Sequence, residues 1–183
     1  MIVGSIALTG IGLRFSEIII SLSGGSLVGA ILLVGIASLV LGMGVPVTAA
    51  YLITAVLAVP ALSGLIEAGV PGGAESLAAA EVAKWALLSS HMIVYWFSQD
   101  SNITPPVCVA AYAGAAIAGA DPWKTGWTSF KFAKMLYMGP LLFAFAPGFL
   151  LHGSWDQIAF AWGTIILGTI AFGALTMGYM LCP

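Results

Sequence analysis

Apolar stretches of near-membrane length alternate along this chain with short clusters of polar, glycine and proline residues, and two of the clusters fall where a span should be unbroken. Residues 2–13 are apolar but only twelve long, whereas a span needs roughly 20; they read as the end of a transmembrane helix. Arg14 to Ser23 alternates polar and apolar positions and is expected to be an interfacial connector burying Ile18, Ile19, Ile20 and Leu22. Residues 1–25 thus form a first unit. The next apolar block, 26–62, is interrupted by Gly42-Met43-Gly44-Val45-Pro46-Val47-Thr48. At 1.5 Å per residue its arms, 26–41 and 49–62, reach about 24 Å and 21 Å, short of about 30 Å of hydrocarbon. A re-entrant hairpin with its tip near the midplane fits these lengths. Two tight spans joined by a surface turn fit them as well.

Residues 63–84 carry Glu67, Glu75 and Glu81 and read as an aqueous outer loop that ends in a short helix from about Glu75. Residues 85–118 are apolar again, yet Gln99-Asp100-Ser101-Asn102-Ile103-Thr104-Pro105-Pro106 lies in their middle. Irregular polar backbone at membrane depth is tolerated only where it faces protein, ions or trapped water. This pattern predicts a discontinuous helix around a solute or ion site. Residues 119–134, with Asp121, Lys124, Lys131 and Lys134, form a second aqueous segment. Three lysines there against Arg14 and Lys84 elsewhere place this segment in the cytoplasm by the positive-inside rule, and 63–84 outside. Residues 135–183 supply two further transmembrane helices: 135–151, kinked by Pro140 and Pro147, and 158–181, anchored at the interface by Trp155, Trp162 and Tyr179.

Composition fixes the solvent. Hydrophobic residues make up 61% of the 183-residue chain, charged residues 7%, and mean hydropathy is +1.09, whereas soluble domains carry about 25% charged residues. The fold class is an all-α membrane protein with one re-entrant hairpin and one discontinuous helix. A net charge of −2 spread over few sites leaves no basic patch for nucleic acid. Cys108 and Cys182 stand in apolar surroundings and read as packed thiols. The first residues lack a charged region and a small-residue cleavage site, so no signal peptide is expected. Nucleophile elbows, zinc-binding helices and phosphate loops are absent from the sequence, so the chain does not read as an enzyme and needs no cofactor beyond a coupling ion, Na⁺ or H⁺.

The chemistry concentrates in the two interruptions. Asp100 is the sole acid in the apolar blocks between Ser26 and Leu151. At membrane depth a carboxylate survives by pairing, by protonation or by binding a cation; capping the second half-helix is the structural alternative. Ser101, Asn102 and Thr104 offer oxygens suited to weakly bound Na⁺, and Pro105 is expected to open the second half-helix. In the other cluster Gly42 and Gly44 permit close backbone approach, while Pro46 and Thr48 open the second arm. His91 reads as a satisfied interior histidine, and His152 as interfacial.

These motifs resemble the large permease subunit of TRAP transporters, the tripartite ATP-independent periplasmic systems, and within them the fused TAXI type. The resemblance rests on Gly42-Met43-Gly44-Val45-Pro46-Val47-Thr48-Ala49-Ala50-Tyr51, on Ser98-Gln99-Asp100-Ser101-Asn102-Ile103-Thr104-Pro105-Pro106-Val107, on Ala118-Gly119-Ala120-Asp121-Pro122-Trp123-Lys124-Thr125-Gly126, and on Ala146-Pro147-Gly148-Phe149-Leu150-Leu151. It implies half of an elevator-type inverted-repeat transporter, with 42–48 as a hairpin tip and 99–106 as a helix break, in a multi-pass protein of a bacterial-type inner membrane. Cations bind between such tips and breaks. A periplasmic binding protein delivers a small organic acid, and Na⁺ or H⁺ drives its import. Family permeases are several times longer, so the remaining N-terminal part of the permease, or a small membrane subunit, is an expected partner. The alternative is a structural membrane module, or an inactive fragment without transport of its own.

Overall fold

The computed structural model describes residues 2–69 and 79–177. Among them all regular structure is helical, in agreement with the all-α reading. In chain order the helices are α1 (Ile2–Thr9), α2 (Ile11–Leu22), α3 (Leu27–Leu41), α4 (Val47–Gly69), α5 (Ala79–Asp100), α6 (Val109–Ala118), α7 (Pro122–Phe132), α8 (Gly139–Phe145) and α9 (Trp155–Met177). Two 3₁₀ segments, Ala133–Met138 and Pro147–Leu150, flank α8. Cys182 and Tyr179, the expected helix start near Glu75, and the end of the 158–181 span lie outside the described residues.

The core is a three-helix stack of α3, α4 and α5, with Ile31, Val34, Ala58, Leu62, Ile93 and Val94 fully or almost fully enclosed. α8 covers the outer side of α5 through Phe143, which meets the Trp96 ring edge to face at 5.3 Å. α4 and α9 are long and apolar enough to cross a bilayer. α5 is comparable in length but carries Ser89, Ser90, Ser98 and Asp100, all buried inside the chain. Turning polar side chains toward protein rather than lipid is what hydrocarbon demands of such a helix. The first turn of α5 carries an exposed pair in which Lys84 donates to Glu81 at 2.8 Å, and that hydrogen bond holds the Glu81 carboxyl below its usual value.

α2 packs on a defect in α4. Pro60 lies inside α4 and cannot donate to the Val56 carbonyl, which its ring also crowds. α2 fits there because residue 12 is glycine: a Cβ would sit 3.0 Å from Val56 O. One turn on, Ser16 Oγ donates to Leu57 O at 2.9 Å. Backbone groups loosened by the proline are thereby satisfied from a neighbouring helix. Ser16→Ala removes that donor while leaving the carbonyl buried. It is expected to lower stability by about 1 kcal/mol, read as a fall in the thermal midpoint of the detergent-solubilised protein, with Ser16→Thr retaining most of it.

Several expectations need correction. Residues 14–23 make up most of α2, and Ile18, Ile20 and Leu22, expected inside, are exposed at 53%, 39% and 71%. Of the four residues expected inside, Ile19 is buried, together with Gly12 and Ser16, at helical and not alternating spacing. The second arm does not end at 62. α4 continues to Gly69 because Ile66 extends the buried stripe of Leu62, leaving Glu67 exposed. The segment 119–134 is largely α7, whose start is capped by Asp121 accepting from the Lys124 amide at 2.8 Å. Residues 135–151 run from a 3₁₀ piece into α8, with Pro140 in the first turn of α8, and the helical path breaks at Ala146, before the second 3₁₀ piece opened by Pro147.

Candidate ion and substrate site

The two polar interruptions meet. α3 and α5 lie against each other along a small-residue face: a Cβ on residue 35 would fall 2.8 Å from the Phe97 ring, and a Cβ on residue 42 would fall 2.5 Å from both Cβ and Oγ of Ser101. Gly42 ends α3, and Ser101 begins the non-helical stretch 101–108. The absence of a side chain at 42 therefore seats the tip of the α3–α4 turn on the break after α5.

Asp100 is the last residue of α5 and is 1% exposed. Its Oδ2 has no hydrogen-bond partner among the described residues. The ion pairs among these residues, Arg14–Glu17 and Lys84–Glu81, involve exposed groups and leave Asp100 without a basic partner. Asp100 does not cap the next helix either. α6 starts nine residues later, and Cys108 occupies its N-cap position without a side-chain hydrogen bond. Pro105 and Pro106 likewise lie in the turn stretch rather than at the start of α6.

The hydroxyls of Ser98, Ser101 and Thr104 have their single protons engaged. Ser101 Oγ donates to Ser98 O at 2.8 Å, and Ser98 Oγ donates to Val94 O at 2.8 Å. Thr104 Oγ1 donates to Asp100 O. Tyr137 Oη, 2.6 Å from Thr104 Oγ1, must then be the donor in that pair. Ser101 therefore presents lone pairs and no free proton, beside a carboxylate oxygen with no donor. Such a set favours a cation over an anion or a hydrogen-bond-accepting solute. Among the described residues no three His, Cys, Asp or Glu side chains cluster as a metal centre.

Other expected site residues are distributed unevenly. Asn102 is half-buried in the break; its carbonyl accepts from the Ala110 amide at 3.3 Å. Gly44, Pro46 and Thr48 are exposed at the tip. The Pro46 carbonyl accepts from the Ala49 and Ala50 amides at 2.9 and 3.0 Å and so starts α4. The structure thus brings Gly42, Asp100, Ser101 and Thr104 into one region, and leaves the rest of the tip open to whatever lies outside the chain. His91 is held by Tyr51, with Oη 3.0 Å from Nδ1, as a satisfied interior histidine. A neighbouring cavity of about 180 Å³ is lined by Ile31, Gly35, Ile36, Phe97, Tyr137 and Leu141 among others, and is too apolar to hold an ion.

Tyr137 and Ser38 were not picked out from the sequence. Tyr137 reaches Thr104 because Trp96 Nε1 donates to Leu136 O at 2.8 Å, pinning the 133–138 segment to α5. A tyrosine in an aromatic-rich span carries no local signal of this. Ser38 sits one helical turn before Gly42, is fully buried, and its Oγ lacks a partner. Serine at i−4 from a tip glycine was the available clue.

The model of the family described as Tripartite ATP-independent periplasmic transporter, DctM component, matches residues 1–149. The chain belongs to this family. The match spans both interruptions and stops before α9. No curated protein and no solved structure matches the chain. As a DctM component it is an integral membrane permease of a TRAP secondary transporter and not an enzyme. Membership also implies a periplasmic binding protein as partner. In this DctM chain the family match covers both the tip and the break.

Proposed function

We propose that the chain provides one half of the transport domain of a cation-coupled importer in a bacterial inner membrane. A periplasmic binding protein hands over a small organic acid, and Na⁺ or H⁺ moving down its gradient drives the uptake. The observation that carries this reading is the seating of Gly42 on Ser101 beside the unpartnered Asp100 carboxylate oxygen. Half-helix ends and unwound carbonyls around a polar break are how secondary transporters hold coupling ions.

In this reading α3 and the start of α4 form a re-entrant hairpin with its tip at 42–48. The 15 residues of α3 reach about 22 Å, too short to cross about 30 Å of hydrocarbon. The 119–134 segment faces the cytoplasm. Na⁺ would be held by oxygens of Ser101, Asn102 and Thr104 with carbonyls of the tip, and the organic acid would lie against the exposed tip residues Gly44, Pro46 and Thr48. The transport domain would carry both across the membrane as a body, in an elevator movement.

In the assembled transporter, Ser101→Ala and Thr104→Ala are expected to raise the Na⁺ concentration needed for half-maximal uptake by about tenfold, the consequence of losing about 1.4 kcal/mol of binding, while expression stays intact. Substrate uptake in reconstituted vesicles over a Na⁺ series is the measurement. Unchanged cation activation in both variants removes these side chains from the ion site.

A further inference from the structure

The outer face of α7 takes no part in the site above, yet it has a composition unlike any other helix of the chain. Three of the five basic residues, Lys124, Lys131 and Lys134, lie on α7 or just after it. Lys124, Thr128 and Lys131 fall at i, i+4 and i+7, which places them on one stripe, and all three are exposed. None of the three lysines has an ion-pair partner among the described residues. Trp123 and Trp127 flank the stripe, 56% and 44% exposed, with ring centroids 6.0 Å apart edge to face.

A cavity of about 510 Å³ opens between α6 and α7, bounded by Ala111 and Gly114 on one side and by Lys124, Thr128, Ser129 and Phe132 on the other. That volume is in the range of sites for small organic molecules. Two of its hydroxyls are engaged: Thr125 Oγ1 donates to Asp121 O, and Thr128 Oγ1 to Lys124 O, each at 2.8 Å. Ser129 Oγ makes no such bond among the described residues and is free to donate. Asp121 also borders the cavity, but one of its oxygens already accepts from the Lys124 amide at the helix start. The charged residues of the lining are thus Lys124 and Asp121, and Lys131 adds a second exposed ammonium along the same stripe of α7.

We propose that the Lys124–Thr128–Lys131 stripe and the α6–α7 cavity bind the headgroup of an anionic phospholipid. The lysine ammoniums and Ser129 supply the charges and donor for a phosphate diester. Ala111, Gly114 and Phe132 form an apolar floor for the glycerol and the first acyl carbons. Indole rings beside the stripe belong at the headgroup level of a bilayer. A lysine–tryptophan helix lying over an apolar floor matches a lipid molecule better than a freely diffusing anion, which would gain nothing from Trp123, Trp127 or Phe132. The site needs only that the chain be embedded in a membrane, and it stands whether or not the transport reading holds.

Native mass spectrometry of the assembled transporter, released from nonionic detergent with equimolar phosphatidylglycerol and phosphatidylcholine, tests this directly. Phosphatidylglycerol adducts are expected to exceed phosphatidylcholine adducts about fivefold or more, given about 1 kcal/mol per lysine near an anionic surface. Lys124→Gln with Lys131→Gln removes that preference, and Lys84→Gln, at the start of α5, preserves it. Equal retention of the two lipids overturns the proposal, as does an unchanged preference in the double variant or an equal loss in Lys84→Gln. A second measurement does not depend on the folding of the charge variant: dibrominated phosphatidylglycerol is expected to quench tryptophan fluorescence of the unaltered protein more than dibrominated phosphatidylcholine. Trp123→Phe with Trp127→Phe is expected to abolish that difference. Equal quenching by the two lipids overturns the proposal on its own.

Discussion

Asp100→Asn, placed in the assembled transporter and reconstituted with its binding protein, is expected to keep substrate exchange and lose accumulation. The replacement preserves shape and removes charge. Asp100 is 1% exposed, its Oδ2 is unpartnered, and no basic side chain pairs with it among the described residues. A charge so placed is costly unless a cation or proton joins it for part of the cycle. If the joining species is a proton, the variant fails to accumulate substrate under a pH gradient while exchange across the membrane continues. If it is Na⁺, the variant shows a lower Na⁺ affinity and little pH dependence. Either loss should reach about tenfold, which needs only about 1.4 kcal/mol of coupling. A variant that accumulates substrate like the parent under both gradients takes Asp100 out of the coupling chemistry.

Gly42→Val should be equally severe, for a steric reason. A Cβ at 42 would lie 2.5 Å from Ser101 Cβ and Oγ, and 3.1 Å from the Ser38 carbonyl oxygen. The clash is with Cβ itself, so no rotamer relieves it, and either the tip or the break must shift. Overpacking of this kind costs about 1–3 kcal/mol, concentrated at the contact that forms the site. Cation-driven uptake is expected to fall to background while the protein still inserts. Gly42→Ala should be impaired as well, and Ser101→Gly added to it should restore part of the activity, because the two positions share one space. Gly64→Ala, which meets no atom within 4 Å, is the matched control and should behave as the parent. Additive effects at 42 and 101 would mean that tip and break do not bear on each other.

The sequence disclosed the interruptions better than the helices around them. Glycine pairs and prolines inside apolar blocks are local, chemically distinct signals, and they located both the α3–α4 turn and the break after α5. What depended on packing was hidden. α2 departs from simple alternation because its buried positions, Gly12, Ser16 and Ile19, follow helical spacing, with Ser16 turned to the proline defect in α4. Ile66 carries α4 through Glu67 to Gly69, since burial on one side of a helix outweighs polar residues on the other. At 135–151 the helical path breaks at Ala146, just before Pro147, while Pro140 is accommodated in the first turn of α8. Within the site, Asp100 and Ser101 could be read locally. The partnership of Thr104 with Tyr137, 33 residues away, exists only because Trp96 anchors the intervening segment, and no spacing rule encodes it.

α9 carries a consequence for how the unfolding of this protein is measured. None of the 18-residue apolar window within its 22-residue candidate span is buried within the chain. Its main footing is at its start, where a Cβ on residue 148 would come within 2.9 Å of the Gln157 carbonyl oxygen. Its helicity in a bilayer is thus enforced by the solvent, which penalises every open backbone hydrogen bond, and not by neighbours that melt away. The α3–α4–α5 stack can lose its packing while α9 keeps its amide ladder. Far-ultraviolet circular dichroism would then report a residual helical plateau that belongs to α9, and a two-state fit to that trace would misstate the cooperativity. Amide exchange resolved by segment should show two separate opening processes, with the slower belonging to whichever of the two environments, protein core or acyl chain, is disturbed last.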